Sequence, residues 1–166
     1  MKNILLVIII TMSFCFPVVC NQDTNYIITT ATPQELNYHV VRVVDGDTIV
    51  IDYNGKYEKV RLLMIDAPES VHPNKSLNTT FGAMVSDYTK VYLEDKYVTL
   101  EFDKETKDRY GRLLAYVYCN GVFVNELLVT NGYAKVEIFE PNHKYKDVLM
   151  RAQKYAQGNK LGIWRM

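Results

Sequence analysis

Cysteine is scarce in this chain, three in 166 residues, at positions 15, 20 and 119. An odd, small number excludes a disulfide framework. Glycine (8) and proline (5) are too few for a collagen-like or low-complexity chain. An excess of charge of one sign is also missing, since 19 Lys and Arg balance 19 Asp and Glu. Nucleic-acid binders are commonly basic, so any site for a polyanion here must be a local cluster and not a long-range field. With 48% hydrophobic residues and no net charge, disorder is excluded as the main state. Histidine is limited to His39, His72 and His143, scattered without the spacing of a zinc centre. Long apolar runs are lacking too, apart from one at the start.

That run has the form of a secretory signal: a basic Met1-Lys2-Asn3, an unbroken Ile4 to Ile10, and a mostly apolar stretch to Val19. It falls short of the roughly 20 residues of a spanning helix. The expected organisation is a signal peptide over 1–20, a polar leader over 21–37 and a folded domain over 38–166, hence a secreted protein. A lipid-anchored form at Cys20 is the weaker alternative, because Val19 fits poorly before it. Loss of Lys2 with the signal leaves the mature charge near −1. Cys119 would then be the remaining cysteine, and with no Cys-His motif around it, it reads as a small buried hydrophobe.

From Tyr38 the pattern is β-like. Val40 to Val44 and Thr48 to Tyr53 flank Asp45-Gly46, and Asn54-Gly55 leads into a third strand, Tyr57 to Ile65. Residues 71–78 form a loop carrying sequons at Asn74 and Asn78, which matter only in a eukaryotic secretory host. Phe81, Met84, Val85, Tyr88, Val91 and Tyr92 then recur at helical spacing, which predicts a helix over 80–94. Val98 to Phe102 and Arg112 to Cys119 complete five strands. Val124 to Thr130, ended by Asn131-Gly132, and Lys144 to Gln157 are further helices. The fold class is α+β, a five-stranded OB-like barrel with three helices.

Three segments concentrate chemistry. Asp45-Gly46-Asp47-Thr48 sets two carboxylates beside a tight turn. In Arg61-Leu62-Leu63-Met64-Ile65-Asp66-Ala67-Pro68-Glu69 an arginine lies in an apolar strand, which is costly unless it finds an anion. Strict alternation puts Arg61 and Asp66 on opposite faces, so the two can serve one site only if the strand bends between them. In Asp108-Arg109-Tyr110-Gly111-Arg112, two arginines flank a tyrosine able to stack on a base. Taken singly, each has an ordinary structural reading: a solvated turn, an Arg–Asp pair, a charged loop. Together they are an inventory for phosphodiester hydrolysis. Asp47 and Asp66 offer hard oxygens that suit Ca²⁺, with a backbone carbonyl as a third ligand. Arg61 and Arg112 can grip phosphate bidentately, and Glu69 is left to orient or deprotonate water. A glycosidase with two carboxylates leaves both arginines unexplained.

These residues, with Val122 to Val136 and the closing Gly162-Ile163-Trp164, resemble the staphylococcal nuclease (thermonuclease) family over about Tyr38 to Trp164. The resemblance implies a monomeric, Ca²⁺-dependent endonuclease of DNA and RNA that expels the 5′-oxygen and leaves 3′-phosphate ends. By position, Asp47, Asp66 and the Ala67 carbonyl would hold the ion. Arg61, Glu69 and Arg112 would be catalytic, and Arg109 and Tyr110 would hold the nucleotide's other phosphate. Two departures stand out. Ala67 replaces a threonine, which spares a carbonyl ligand. Ile138 and Phe139 fall roughly where the family has two base-flanking tyrosines, which alters base stacking. The near-neutral charge implies weaker non-specific DNA affinity and a shallower salt dependence. A different class of reading, a non-catalytic nuclease-like module that binds nucleic acid or protein, would be expected to have lost an acid or an arginine, and all five side chains are present.

Overall fold

A computed structural model describes residues 37–70 and 79–165. The signal, nearly all of the leader and both sequon asparagines lie outside the described residues. The elements run β1 (Asn37–Asp45), β2 (Thr48–Tyr53), β3 (Lys56–Leu62), β4 (Ile65–Asp66), α1 (Thr80–Leu93), β5 (Tyr97–Glu101), β6 (Leu113–Cys119), β7 (Val122–Phe123), α2 (Val124–Thr130), β8 (Lys135–Val136) and α3 (Lys146–Gly158), then a 3₁₀ turn at Gly162–Trp164.

The barrel follows from turn chemistry and register. Asn54 and Gly55 both have positive φ (55° and 80°), the two-residue turn whose twist matches a hairpin. That turn pairs Tyr53 with Lys56 and, five rungs on, Thr48 with Arg61. Irregularities in β1 at Val40/Arg42 and Val43/Asp45 bend the strand, and β1 pairs with β5 near its start and with β2 further along. The sheet order β3-β2-β1-β5-β6 closes through a parallel β3–β6 pairing, giving a five-stranded barrel with three helices. Its interior is aliphatic, with Val40, Ile49, Ile51, Val60, Ala115 and Val117 fully buried. Cys119 is buried among them, as a small hydrophobe.

Three sequence expectations need correction. The strand expected over Tyr57 to Ile65 stops at Leu62, turns at Leu63–Met64 and restarts as the short β4, which pairs not with the barrel strands but with β8. Helix α1 ends at Leu93, and its buried stripe is Gly82, Val85, Thr89 and Leu93. Of the expected core face, Phe81, Val85, Tyr88 and Tyr92 pack on the core, but Val91 and Met84 are 82% and 44% exposed. Small residues decide the facing, because they let α1 come close to the chain beneath it. Helix α3 begins at Lys146, two residues later than expected.

Gly82 marks the closest approach. A Cβ there would lie 2.3 Å from the Glu69 carbonyl oxygen and 2.7 Å from that of Pro68, both backbone atoms. The helix is anchored at the same place, where Thr79 caps it by accepting from the Gly82 N–H (2.8 Å) and the Thr79 N–H donates to the Glu69 carbonyl (3.0 Å). The Pro68–Glu69 segment is thus clamped by a helix terminus. Gly82→Ala is expected to destabilise the protein by roughly 1–3 kcal/mol through overpacking, read as a lower urea midpoint; an unchanged midpoint would show that the helix and the segment are not in tight contact.

Candidate active site

The register that closes the β2–β3 hairpin brings Asp47 to Arg61. Thr48 faces Arg61, and the Leu62 N–H donates to the Asp47 carbonyl (2.9 Å). Asp47 is 6% exposed and well held: its Oδ2 accepts from the Ala67 N–H (2.8 Å) and its Oδ1 from the Thr48 hydroxyl (3.1 Å). Gly46 permits this closeness, since a Cβ there would meet Ala67 Cβ at 2.7 Å and Val85 Cγ1 at 2.8 Å.

The turn at Leu63–Met64 brings in Asp66. Met64 has φ 62°, a left-handed conformation uncommon for a bulky residue, and it is buried. The strand therefore bends where alternation required it to. Arg61, with 14% of its side chain exposed, touches both acids: NH1 lies 2.5 Å from Asp47 Oδ2 and NH2 3.5 Å from Asp66 Oδ1. The NH1 contact is a charge contact and not an aligned hydrogen bond, which leaves that buried nitrogen without a well-directed acceptor. Asp66 is shared with Lys135 of β8, whose Nζ lies 3.0 Å from Oδ2. Hydrogen bonding and charge from Asp66 push the Lys135 ammonium's pKa up.

Burial pushes the Asp47 carboxyl up to about 7; the Arg61 charge and the Ala67 N–H oppose this, and Asp45 adds to it. The carboxylate is thus held in a setting where charge is expensive unless a cation sits against it.

Arg112 is aimed by Asp108. The Asp108 Oδ1 accepts from the Tyr110 and Arg112 N–H groups (2.9 and 3.0 Å), and Oδ2 accepts from Arg112 Nε (2.7 Å). Burial pushes the Asp108 carboxyl up, but these bonds outweigh it and hold it below the usual carboxylate range. Gly111, at φ 79°, makes the turn. Tyr110 is 70% exposed and lies against both guanidiniums, with Cζ of Arg109 at 4.8 Å and of Arg112 at 5.6 Å from its ring centre.

Arg61, Asp108, Arg109, Tyr110, Arg112 and Phe139 line one cavity of about 490 Å³, with Glu105 and Glu140 at its wall. The structure thus brings both expected arginines and both expected phosphate contacts to one hollow, with Asp47 and Asp66 attached through Arg61. Glu69 is exposed and stands at the end of the bent segment, not among the residues lining the cavity. Ile138 and Phe139 are 37% and 57% exposed, and of the two Phe139 reaches the cavity. Asn142 ties the two walls together: its amide bonds both the N–H and the carbonyl of Glu105 (2.8 Å each), and its own N–H donates to the Phe139 carbonyl. Another hollow of about 420 Å³ is lined by Thr99, Glu101 and Tyr118 and collects none of these groups. Its carboxylate is already bonded to Tyr118, Tyr145 and Lys144.

Sequence reasoning passed over Asp108, Lys135 and Asn142 as contributors. Asp108 could have been found from its position four residues before Arg112, across a glycine turn. Lys135 could not, because its partner comes from the unforeseen pairing of β4 with β8.

Comparison with known proteins agrees with the geometry. Residues 59–166 match the family model described as staphylococcal nuclease homologue. The chain is 45% identical over 130 residues to the thermonuclease of Staphylococcus hyicus and 44% identical over 128 residues to that of Staphylococcus intermedius, covering 78% and 77% of this chain and 76% of each relative. It is also 42% identical over 131 residues to the endonuclease YncB of Bacillus subtilis, covering 78% of this chain and 62% of that protein. The chain belongs to the staphylococcal nuclease family and is a nuclease, a hydrolase of nucleic acids.

Proposed function

We propose that this nuclease is a secreted, monomeric, Ca²⁺-dependent endonuclease that hydrolyses the phosphodiester bonds of DNA and RNA and leaves 3′-phosphate ends, with residues 1–20 removed as a signal, 21–37 a leader and 38–166 the nuclease domain. The observation that carries this reading is the convergence of Asp47 and Asp66 on Arg61, which in turn shares a cavity with Arg112.

The residues fit a hard divalent cation. Asp47 and Asp66 bring carboxylate oxygens to one place beside Arg61, the hard oxygen donors that such an ion takes. Among the described residues no three acidic, cysteine or imidazole side chains are gathered so as to hold an ion by themselves. The ligands would therefore be Asp47, Asp66, the Ala67 carbonyl and water, an all-oxygen set suited to Ca²⁺. Bound there, the ion would offset negative charge on the phosphoryl oxygens.

The chain's own groups do the rest. Arg61 and Arg112 hold the scissile phosphate and strengthen their grip as charge grows on its oxygens. Glu69 orients or deprotonates the attacking water. The bond from that water to phosphorus forms as the bond to the 5′-oxygen breaks, and the 5′-oxygen takes a proton from solvent, balancing the one the attacking water gives up, and leaves as a hydroxyl. Arg109 and Tyr110 hold a neighbouring phosphate, and Phe139 offers an aromatic face to a base.

Arg61→Ala, Arg112→Ala and Glu69→Gln, each assayed on DNA and RNA with and without Ca²⁺, are expected to lose on the order of 10³-fold or more in kcat with the circular dichroism spectrum retained. Near-normal turnover in any one removes that residue from the mechanism. The raised Asp47 pKa gives a pH dependence of known sign. In Ca²⁺-depleted buffer the group favours the fold most below about 3.8, its ordinary value, and that contribution is lost as pH rises through about 7. Bound Ca²⁺ must displace the proton in this window, so the Ca²⁺-induced rise in Tm is expected to grow from pH 5.5 to pH 8 and to flatten in Asp47→Asn. A wild-type Tm shift independent of pH over that range contradicts the assignment.

A further inference from the structure

The parallel pairing of β3 with β6 joins Val60 to Leu113, Arg61 to Leu114 and Leu62 to Ala115. The Leu63 N–H still donates to the Ala115 carbonyl (2.9 Å). In a parallel ladder the next bond would run from the Val117 N–H to the Leu63 carbonyl. The side-chain amide of Asn125 takes the place of that bond. Asn125 lies in the first turn of α2 and is fully buried. Its Nδ2 donates to the Leu63 carbonyl (2.8 Å) and its Oδ1 accepts from the Val117 N–H (3.0 Å). One carboxamide thus stands between two strands that have parted and satisfies the acceptor and the donor that the separation would strand.

The bend follows immediately. Met64 enters its left-handed conformation, its carbonyl accepts from the Glu137 N–H (3.0 Å), and the chain passes from the barrel to the β4–β8 pair that carries Asp66 and Lys135. If the ladder continued instead, Asp66 would stay on the opposite face from Arg61.

We propose that Asn125 is a positioning residue for the nuclease site: its amide wedges β3 away from β6, so that the chain turns at Leu63–Met64 and returns Asp66 to Arg61. The proposal rests on the reading of Asp66 and Arg61 given above. Asn125 touches neither of them and acts through the Leu63 carbonyl.

The test compares wild type with Asn125→Asp, which keeps the volume and the acceptor but loses the donor, and Asn125→Ala, both in the full chain. In folded protein, kcat on single-stranded DNA is expected to fall by about 30-fold or more, with KM within about threefold because Arg109 and Tyr110 lie on the other wall. The Ca²⁺ midpoint in thermal shift should weaken about tenfold, and hydrogen exchange at the Glu137 N–H should speed up at least about tenfold more than at Ile49 in the barrel. Turnover per folded molecule and Glu137 exchange both near wild type would overturn the proposal. So would failure of both variants to fold even in trimethylamine N-oxide, since the amide would then serve the barrel as a whole. An inactive wild type would sink the nuclease mechanism but not this comparison, because the exchange readout needs neither Ca²⁺ nor substrate.

Discussion

A guanidinium in an apolar strand must be met by anions, and the rest of the site is arranged around meeting that demand for Arg61. Its side chain is largely withdrawn from water, where an unpaired charge costs several kcal/mol. Asp47 comes from the turn between β1 and β2, and Asp66 from β4, just past the turn at Leu63–Met64. Asp47 reaches Arg61 through the β2–β3 hairpin and Asp66 through the chain's own bend, so the Asn54-Gly55 turn and the Leu63–Met64 bend are both requirements of one ionic cluster. The glycines serve it as well. Gly46 lets Asp47 lie against Ala67, and Gly82 lets α1 clamp the segment ending in Glu69.

The facing wall is built differently. It is a loop, and its order is local: one carboxylate, Asp108, collects two backbone N–H groups and the Arg112 side chain, so the loop itself orients Arg112. Tyr110 and Arg109 remain exposed beside it, hydrogen-bonded to one another. Asn142 links this loop to the segment carrying Phe139, so the two sides of the cavity are held at a fixed separation. Arg61, Arg109 and Arg112 form a local cluster of positive charge around this cavity, in a chain whose net charge is zero.

Much of this was legible in the sequence because it depends on local signals. Asn54-Gly55 announces a hairpin, and Arg61 in an apolar run announces a partner. The need for a bend between Arg61 and Asp66 followed from alternation alone, and the positive φ at Met64 meets it. What stayed hidden depends on tertiary contact. In α1, Phe81, Val85, Tyr88 and Tyr92 pack on the core as expected, whereas Met84 and Val91 face out because the small Gly82 and Thr89 take the closest positions. The β4–β8 pair is two residues long, too short for a pattern, and with it Lys135 was lost. Asn125 did leave a trace, a polar residue on the face shared by Val124, Leu128 and Val129, but only coordinates show which strands it bridges.

The central claim is that Arg61 and Asp47 depend on one another energetically. A double-mutant cycle with Arg61→Met, Asp47→Asn and the pair, measured by urea unfolding in Ca²⁺-depleted buffer at pH 8, tests it most directly. The account requires a favourable coupling of at least about 1.5 kcal/mol, with the double variant more stable than the sum of the single losses allows. Additivity within about 0.5 kcal/mol would contradict it, because the buried guanidinium would then be satisfied by something other than the acids it touches.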